Sequence, residues 1–203
     1  FRSVLLTINV RLSPEQILYT INHAEANVIL VNAVFLPILQ QEWDRIEPGK
    51  KLVLLNDAAE APDTPLPLVD EYEALLARGD PRYPFPELDE DTQATVFYTT
   101  GTTGLPKGVY YSHRQLVLHT LTARTALTGP GHGRLNEGGV YMPITPMFHV
   151  HAWGLPYIAT TLGAKQVYPG QYAAETLVHL IQQLVFERTH AGDCSVAGLP
   201  ASK

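Results

Sequence analysis

Residues 98–109 read Tyr-Thr-Thr-Gly-Thr-Thr-Gly-Leu-Pro-Lys-Gly-Val, at the end of a predicted buried strand, 94–98. The glycines of this stretch allow consecutive backbone N–H groups to converge on an anion. Lys107 adds a full positive charge near its end. Hydroxyls that can donate to phosphate oxygens or coordinate magnesium come from four threonines: Thr99, Thr100, Thr102 and Thr103. The pattern predicts a loop that binds a polyphosphate.

The spacing of this loop distinguishes it from two alternatives. A Walker A loop has Gly-x-x-x-x-Gly-Lys followed by Ser or Thr, whereas Lys107 lies between Pro106 and Gly108. The second alternative is a Gly/Thr hairpin with a solvated lysine, which would bind no phosphate. The length of the pattern and its place after a buried strand favour phosphate binding.

Strands and helices alternate on both sides of the loop. Ser13, Pro14 and Gln16 form the signature of a capping box, which predicts that a helix begins at residue 14 and ends near 23. Apolar runs predict strands at 4–8, 27–31, 51–55, 109–111, 140–142 and 165–168. Further helices are expected over 35–43, 69–78, 113–127 and 173–186. This alternation predicts an α/β fold with largely parallel sheets.

Composition excludes several classes of protein. The 203 residues carry 14 Lys and Arg against 20 Asp and Glu, a formal charge of −6, which argues against a protein that coats nucleic acid or binds membranes through basic residues. Cys194 is the single cysteine, so an intramolecular disulfide is not expected and a cytoplasmic setting fits. The apolar runs are all too short to predict a transmembrane segment.

The phosphate loop resembles that of the adenylate-forming, AMP-binding enzymes, whose signature of Thr/Ser-Gly-Thr-Thr-Gly-x-Pro-Lys-Gly is matched at every position. Three further segments extend the resemblance and narrow it to the fatty-acyl-CoA synthetases. Residues 6–25 are similar to their early nucleotide-domain region, 111–119 to their strand-to-helix segment, and 146–157 to the segment that lines their acyl and adenine pockets.

The resemblance implies a domain organisation and a reaction. Residues 1–188 would be an incomplete AMP-binding N-terminal domain, made of βα layers, and 189–203 an atypical tail or truncation point. The family uses ATP, Mg2+ and CoA to convert a fatty acid into acyl-AMP and then acyl-CoA. Family members are more than twice as long as this chain, which is therefore expected to be inactive alone.

The resemblance also assigns roles to individual residues. Lys107 and His149 would be catalytic, and Thr99 would be the ligand on the magnesium side. Val150 would lie against the bound adenylate, and Trp153 would gate the fatty-acid tunnel. The residues implied to bind the nucleotide are Thr99, Thr100, Gly101, Thr102, Thr103, Gly104, Lys107 and Val150.

The segment around Trp153 supports a hydrocarbon site from its own spacing. Val150, Trp153 and Tyr157 share a face if the segment is helical, although Pro156 complicates a continuous helix. A tryptophan among aliphatic residues makes a wall suited to an apolar tail. The alternative is that Trp153 is a core aromatic residue and His149 a buried histidine.

A metal site is the other interpretation of the histidines. His149 and His151 are two residues apart, which is not an established zinc spacing, and the histidines nearest in sequence are His113, His119 and His132. A zinc site is therefore disfavoured.

The function expected is ATP-dependent ligation of a fatty acid to CoA. A ligase for an aromatic or short-chain acid and a non-catalytic nucleotide-binding fragment remain as alternatives. Small molecules rather than nucleic acid are the expected partners, and the resemblance also allows a homodimer of the full-length enzyme.

Overall fold

The structure, a computed structural model, describes residues 3–58, 60–99, 104–128, 135–170 and 173–191, with side chains as far as residue 184. These residues divide between two compact units. The first unit contains residues 1–89 and 94–110, and the second contains residues 90–93 and those from 111 onward.

The first unit alternates strands and helices along the chain. Its elements are β1 (Leu5–Thr7), α1 (Pro14–His23), β2 (Val28–Asn32), α2 (Leu36–Glu42), β3 (Lys51–Leu55), β4 (Leu68–Glu71), α3 (Tyr72–Ala77), β5 (Gln93–Thr99) and β6 (Lys107–Ser112). Short 3₁₀ turns at Ala33–Phe35 and Trp43–Arg45 flank α2.

The second unit is mostly helical. Its elements are α4 (His113–Thr128), β7 (Val140–Tyr141), α5 (Val150–Trp153), α6 (Leu155–Thr161), β8 (Lys165–Gln166) and α7 (Ala174–Ala191). The expected boundary after residue 188 falls within α7. Residues 192–203, with Cys194, lie outside the described part of the chain, as do residues 129–134.

Parallel pairing dominates the sheets. One sheet has the order β1-β5-β6, a second β2-β3-β4 and a third β7-β8. The pairs β1/β5, β2/β3, β3/β4 and β7/β8 are all parallel. The predicted α/β class with largely parallel sheets is confirmed.

The start of α1 matches its sequence signature. The backbone N–H of Gln16 donates to Ser13 Oγ at 3.3 Å, and the backbone N–H of Ser13 donates to Gln16 Oε1 at 3.4 Å. Pro14 occupies the first turn, where its missing N–H leaves no donor unsatisfied. The helix therefore begins and ends at the predicted residues.

The core of the first unit is built around β3. Leu52 and Leu54 are 0% and 3% exposed and pack with Ile21 of α1 and Leu39 of α2. Burial of the three successive residues Leu52, Val53 and Leu54 is expected of a central parallel strand, because such a strand is covered on both faces. The core of the second unit is separate and centres on Ile158, Ala159 and Tyr141.

The prediction of one helix over residues 69–78 is wrong in its first part. Residues 68–71 form β4, which pairs with β3 through Leu52↔Leu68 and Val53↔Asp70. The helix begins only at Tyr72, where the Glu71 carboxylate accepts a hydrogen bond from the N–H of Ala74 at 2.9 Å. Pairing with a distant strand outweighs the local helical pattern here.

The segment after His149 is not the continuous right-handed helix that the spacing suggested. Val150, His151, Ala152 and Trp153 have φ values of 49°, 52°, 52° and 60°, and Gly154 has 71°, so five successive residues are left-handed. The right-handed helix α6 starts only afterwards, with Pro156 in its first turn. Left-handed backbone costs about 1–2 kcal/mol for each non-glycine residue.

Gly154 ends this left-handed turn beside α4. A methyl group on its Cα would lie 2.9 Å from both Cδ2 and Nε2 of His119. The same Nε2 lies 3.2 Å from the carbonyl oxygen of Trp153, within hydrogen-bonding distance. Close approach and a positive φ therefore both require glycine here.

Among the residues that the structure describes, none of the helices combines the length and the apolar character needed to cross a membrane.

We predict that Leu52→Ala lowers the free energy of unfolding by about 2–5 kcal/mol, because it leaves a cavity in the packed core. Leu30→Ala on the neighbouring strand is the matched control, since Leu30 is 54% exposed and should lose less than about 1 kcal/mol. Urea unfolding measures both. Equal losses in the two variants would contradict the assignment of this core.

Gly154→Ala is expected to lower the free energy of unfolding by about 2–3 kcal/mol, since it adds left-handed strain and displaces His119 from its hydrogen bond. Gly163→Ala is the control, because Gly163 also has a positive φ of 62° but nothing within 4 Å of an added methyl group. It should lose only the strain, about 1–2 kcal/mol. Thermal or urea unfolding that ranked the two variants in the opposite order would refute the role given to His119.

Candidate functional site

The ends of two strands hold the phosphate loop. β5 ends at Thr99 and β6 begins at Lys107, so the loop joins two strands of one sheet. Gly104, Leu105 and Pro106 are described, and Gly104 has a φ of 100°. The predicted nucleotide-binding residues Thr100, Gly101, Thr102 and Thr103 lie outside the described residues.

The structure brings Thr99 and Lys107 together at the base of this loop. Thr99 Oγ1 donates to the carbonyl oxygen of Lys107 at 3.4 Å. Both residues are exposed, whereas Pro106 beside them is fully buried. The base of the loop thus exposes the Thr99 hydroxyl and the Lys107 ammonium group, beside the buried Pro106.

The Thr99 hydroxyl has the chemistry that a magnesium site needs. Magnesium prefers hard oxygen ligands and usually takes one or two from the protein, with the others from water and substrate phosphates. An exposed hydroxyl at the mouth of the predicted phosphate loop fits this requirement.

A cavity of about 90 Å³ lies within the second unit. It is bounded by the start of α4, the left-handed turn and the start of α6. The lining residues are Tyr111, Gln115, Leu116, His119, Val150, His151, Trp153, Gly154 and Tyr157. Val150, Trp153 and Tyr157 therefore do meet in one place, through a left-handed turn rather than along one helical face.

Trp153 forms one wall of the cavity and is also in contact with solvent. It is 64% exposed, which excludes the alternative that it is a core aromatic residue. Its backbone N–H donates to the carbonyl oxygen of His149 at 3.2 Å, and its carbonyl oxygen faces His119 Nε2. The indole is thus held at the rim by its backbone while its side chain remains open to water.

The cavity lining is electrically neutral. It contains no Asp, Glu, Lys or Arg among the residues that the structure describes there. His151 is 2% exposed, and burial lowers the pKa of its imidazole, which favours the uncharged form. Burial, with a smaller contribution from Tyr168, raises the pKa of the Tyr157 hydroxyl. A neutral, mainly apolar lining suits a hydrocarbon group.

His149 does not line this cavity. It is exposed and precedes the left-handed turn, with its ring 4.7 Å from that of Phe148. It is therefore not the buried histidine of the alternative interpretation. The buried histidine is His151, two residues later.

The lining residues on α4 were not identified as site residues from the sequence. Gln115 and His119 lie four positions apart, so they share one face of the helix, and that spacing was the signal available. In the described parts of the chain, no three His, Cys, Asp or Glu side chains are grouped so that they could hold a metal ion.

Comparison with known proteins identifies a family and several relatives. Residues 2–190 match the model of a family described as AMP-binding enzyme. A medium-chain-fatty-acid–CoA ligase from Ectopseudomonas oleovorans is 44% identical over 164 residues, which are 81% of this chain and 29% of the relative. A 3-methylmercaptopropionyl-CoA ligase from Ruegeria lacuscaerulensis is 42% identical over 176 residues, which are 86% of this chain and 32% of the relative.

A solved structure shares the fold. The inhibitor-bound N-terminal domain of FACL13 from Mycobacterium tuberculosis matches with a TM-score of 0.64 at 22% identity, covering 89% of this chain and 41% of that one. The chain spans about a third of the length of the curated relatives it matches. Since the family model covers nearly all of it, the chain belongs to the adenylate-forming, AMP-binding enzyme family.

Proposed function

We propose that this protein takes part in the ATP-dependent activation of a fatty acid and its transfer to CoA. The observation that carries the proposal is the neutral, mainly apolar cavity behind Trp153, because a hydrocarbon tail needs such a lining and a charged substrate group does not. The phosphate-loop sequence supplies the complementary polar site. The single cysteine supports a cytoplasmic setting, and a homodimer is proposed on the resemblance alone.

The reaction consists of two substitutions. A carboxylate oxygen attacks the α-phosphorus of ATP, the bond from that phosphorus to the β-phosphate oxygen breaks, and pyrophosphate leaves. The sulfur of CoA then attacks the acyl carbon, the acyl–phosphate bond breaks, and AMP leaves while the thiol proton passes to water or a base. The product is an acyl thioester.

The residues of the loop base act on the charge of the triphosphate. The Lys107 ammonium interacts with phosphate oxygens, and this interaction strengthens as negative charge moves to the leaving pyrophosphate. The Thr99 hydroxyl is the magnesium-side ligand. When bound, magnesium supplies additional neutralisation of phosphate charge. His149 is proposed to lie near the reacting carboxylate and Val150 against the adenylate.

A short-chain or thioether-containing acid is the second candidate substrate. An engineered cavity of about 150 Å³ in another protein holds one benzene molecule. The present cavity of about 90 Å³ is smaller, so that it fits only a few methylene-sized groups. The 3-methylmercaptopropionyl-CoA ligase among the relatives agrees with such a substrate.

Lys107→Ala is predicted to reduce the rate of acyl-adenylate formation by about 10²-fold, the scale of losing one electrostatic contact in a transition state. Pyrophosphate release, in the longest natural polypeptide that contains this chain, measures the rate. Lys51→Ala is the control, because Lys51 is also an exposed lysine that begins a strand of the first unit. An unchanged rate in Lys107→Ala would show that the phosphate-loop assignment is wrong.

Trp153→Ala is predicted to change the preference among carboxylates of different length more than the KM for ATP. Each methylene that gains or loses contact with the wall is worth about 0.8 kcal/mol, or about a fourfold change in relative kcat/KM. Straight-chain acids from two carbons upward, with 3-methylthiopropionate and benzoate, form the test panel.

Phe85→Ala is the control for Trp153→Ala, since Phe85 is 88% exposed and lies in the other unit. A wild-type optimum at acids of six or more carbons supports the fatty-acid proposal, and an optimum at shorter acids supports the second candidate. Loss of ATP affinity with an unaltered length profile would remove Trp153 from the acyl site.

A further inference from the structure

The aromatic ring of Tyr98, near the end of β5, lies against the start of β6. Tyr98 itself belongs to β5 and immediately precedes Thr99, whereas Gly108 lies on β6 immediately after Lys107. A methyl group on the Gly108 Cα would lie 3.3 Å from Tyr98 Cζ and 3.4 Å from its hydroxyl oxygen. The ring therefore packs directly on the backbone of β6, where glycine leaves it room.

A residue of helix α1 forms a hydrogen bond with the hydroxyl of that ring. Nδ1 of His23, the last residue of α1, lies 2.7 Å from the Tyr98 hydroxyl oxygen, which is a short hydrogen bond. The two rings meet edge to face, with centroids 5.8 Å apart and planes at 85°. On the helix itself, the ring of Tyr19 lies 5.0 Å from that of His23.

The Tyr98 hydroxyl belongs to a largely buried side chain. Tyr98 is 9% exposed, so loss of its hydrogen bond would leave a largely buried polar group without that partner.

We propose that His23 and Tyr98 are positioning residues for the phosphate loop: His23 holds the Tyr98 ring against Gly108 and so sets the separation of the strand ends that carry Thr99 and Lys107. This inference rests on the proposed function of the loop. It assigns to α1, more than seventy residues away in sequence, a role in nucleotide affinity. Neither residue is a catalytic group, because each acts through the loop base.

The alternative role for the pair is core stability alone, and the two roles predict different kinetics. A hydrogen bond that only stabilises the fold changes the fraction of folded protein but not the KM for MgATP of the folded molecules. A hydrogen bond that positions the loop changes the KM for MgATP, while the KM for the carboxylate stays constant. The net contribution of such a bond corresponds to about a 3- to 10-fold change.

The test uses substitutions that separate the ring from its hydroxyl. Tyr98→Phe keeps the ring on Gly108 and removes the hydrogen bond, and His23→Leu removes it from the other side. His23→Asn retains a side-chain amide close to the position of Nδ1 and should keep part of the effect. Gly108→Ala should displace the ring without altering either partner.

Thr95→Val is the matched control. Thr95 lies on the same strand as Tyr98, is 0% exposed, and its Oγ1 donates to the carbonyl oxygen of Leu5 at 2.9 Å. Valine has nearly the same shape, so this variant loses a buried hydroxyl hydrogen bond of β5 that points away from the loop base. Its stability should fall, and its KM for MgATP should not change.

Pyrophosphate release is measured against MgATP and against carboxylate, in the longest natural polypeptide that contains the chain, with urea unfolding in parallel. We expect the KM for MgATP to rise about 3- to 10-fold in Tyr98→Phe, His23→Leu and Gly108→Ala, with kcat within about twofold. The double variant Tyr98→Phe/His23→Leu should be no worse than either single one, and His23→Asn should lie between His23→Leu and the unsubstituted protein.

Two results distinguish failure of this inference from failure of the proposed function. If Tyr98→Phe and His23→Leu lose stability but keep the original KM for MgATP, while Lys107→Ala is impaired, the pair is only structural and the loop assignment stands. If Lys107→Ala is also unimpaired, the loop does not bind the triphosphate, and both proposals are refuted.

Discussion

Parallel strand pairing is the constraint on which the first unit depends. Two parallel strands cannot be joined by a tight turn, so the chain must cross over between them, and α2 makes that crossing between β2 and β3. Residues of α1 and α2 pack against β3, where Leu52, Val53 and Leu54 are buried in succession. In the other sheet of this unit, β5 ends at Thr99 and β6 begins at Lys107, so these two residues bound the loop of residues 100–106.

Charge is distributed unevenly with respect to this framework. The chain as a whole is acidic, with a formal charge of −6, yet the described base of the phosphate loop contributes a lysine and a hydroxyl and no carboxylate. The cavity in the second unit carries no formal charge in its described lining. The polyanion and the hydrocarbon group of the proposed function have opposite requirements, and the proposal assigns them to separate sets of side chains in the two units.

Structural features that depend on neighbouring residues were predictable from the sequence, and features that depend on contacts between distant residues were not. Ser13, Pro14 and Gln16 define the start of α1 because a capping box is complete within four residues. β4 was mistaken for helix because its strand character comes from pairing with β3, thirteen or more residues away. The contact between His23 and Tyr98 spans an even larger separation, and neither residue carries a local mark of it.

In the candidate site, too, local sequence features were predictable and contacts between distant residues were not. The predicted phosphate loop is one contiguous motif, and its binding function stays a prediction. The grouping of Val150, Trp153 and Tyr157 is found in the structure. The left-handed geometry that groups these three was not predictable, since Val150 and Trp153 have no preference for positive φ and the only glycine of the turn is its last residue, Gly154. The hydrogen bond of His119 with the carbonyl oxygen of Trp153 depends on tertiary structure and has no signature in the sequence.

The left-handed turn has a consequence for how this segment can evolve. At Trp153, which is 64% exposed and has a φ of 60°, glycine or asparagine would adopt the backbone conformation at lower cost, so a change toward either residue lowers the strain there. His151 and Ala152 are buried, so their packing offsets part of the same strain. The side chain at the rim of the cavity is therefore kept at a cost in folding free energy. A change of substrate that no longer needs Trp153 would allow a substitution that recovers part of this free energy.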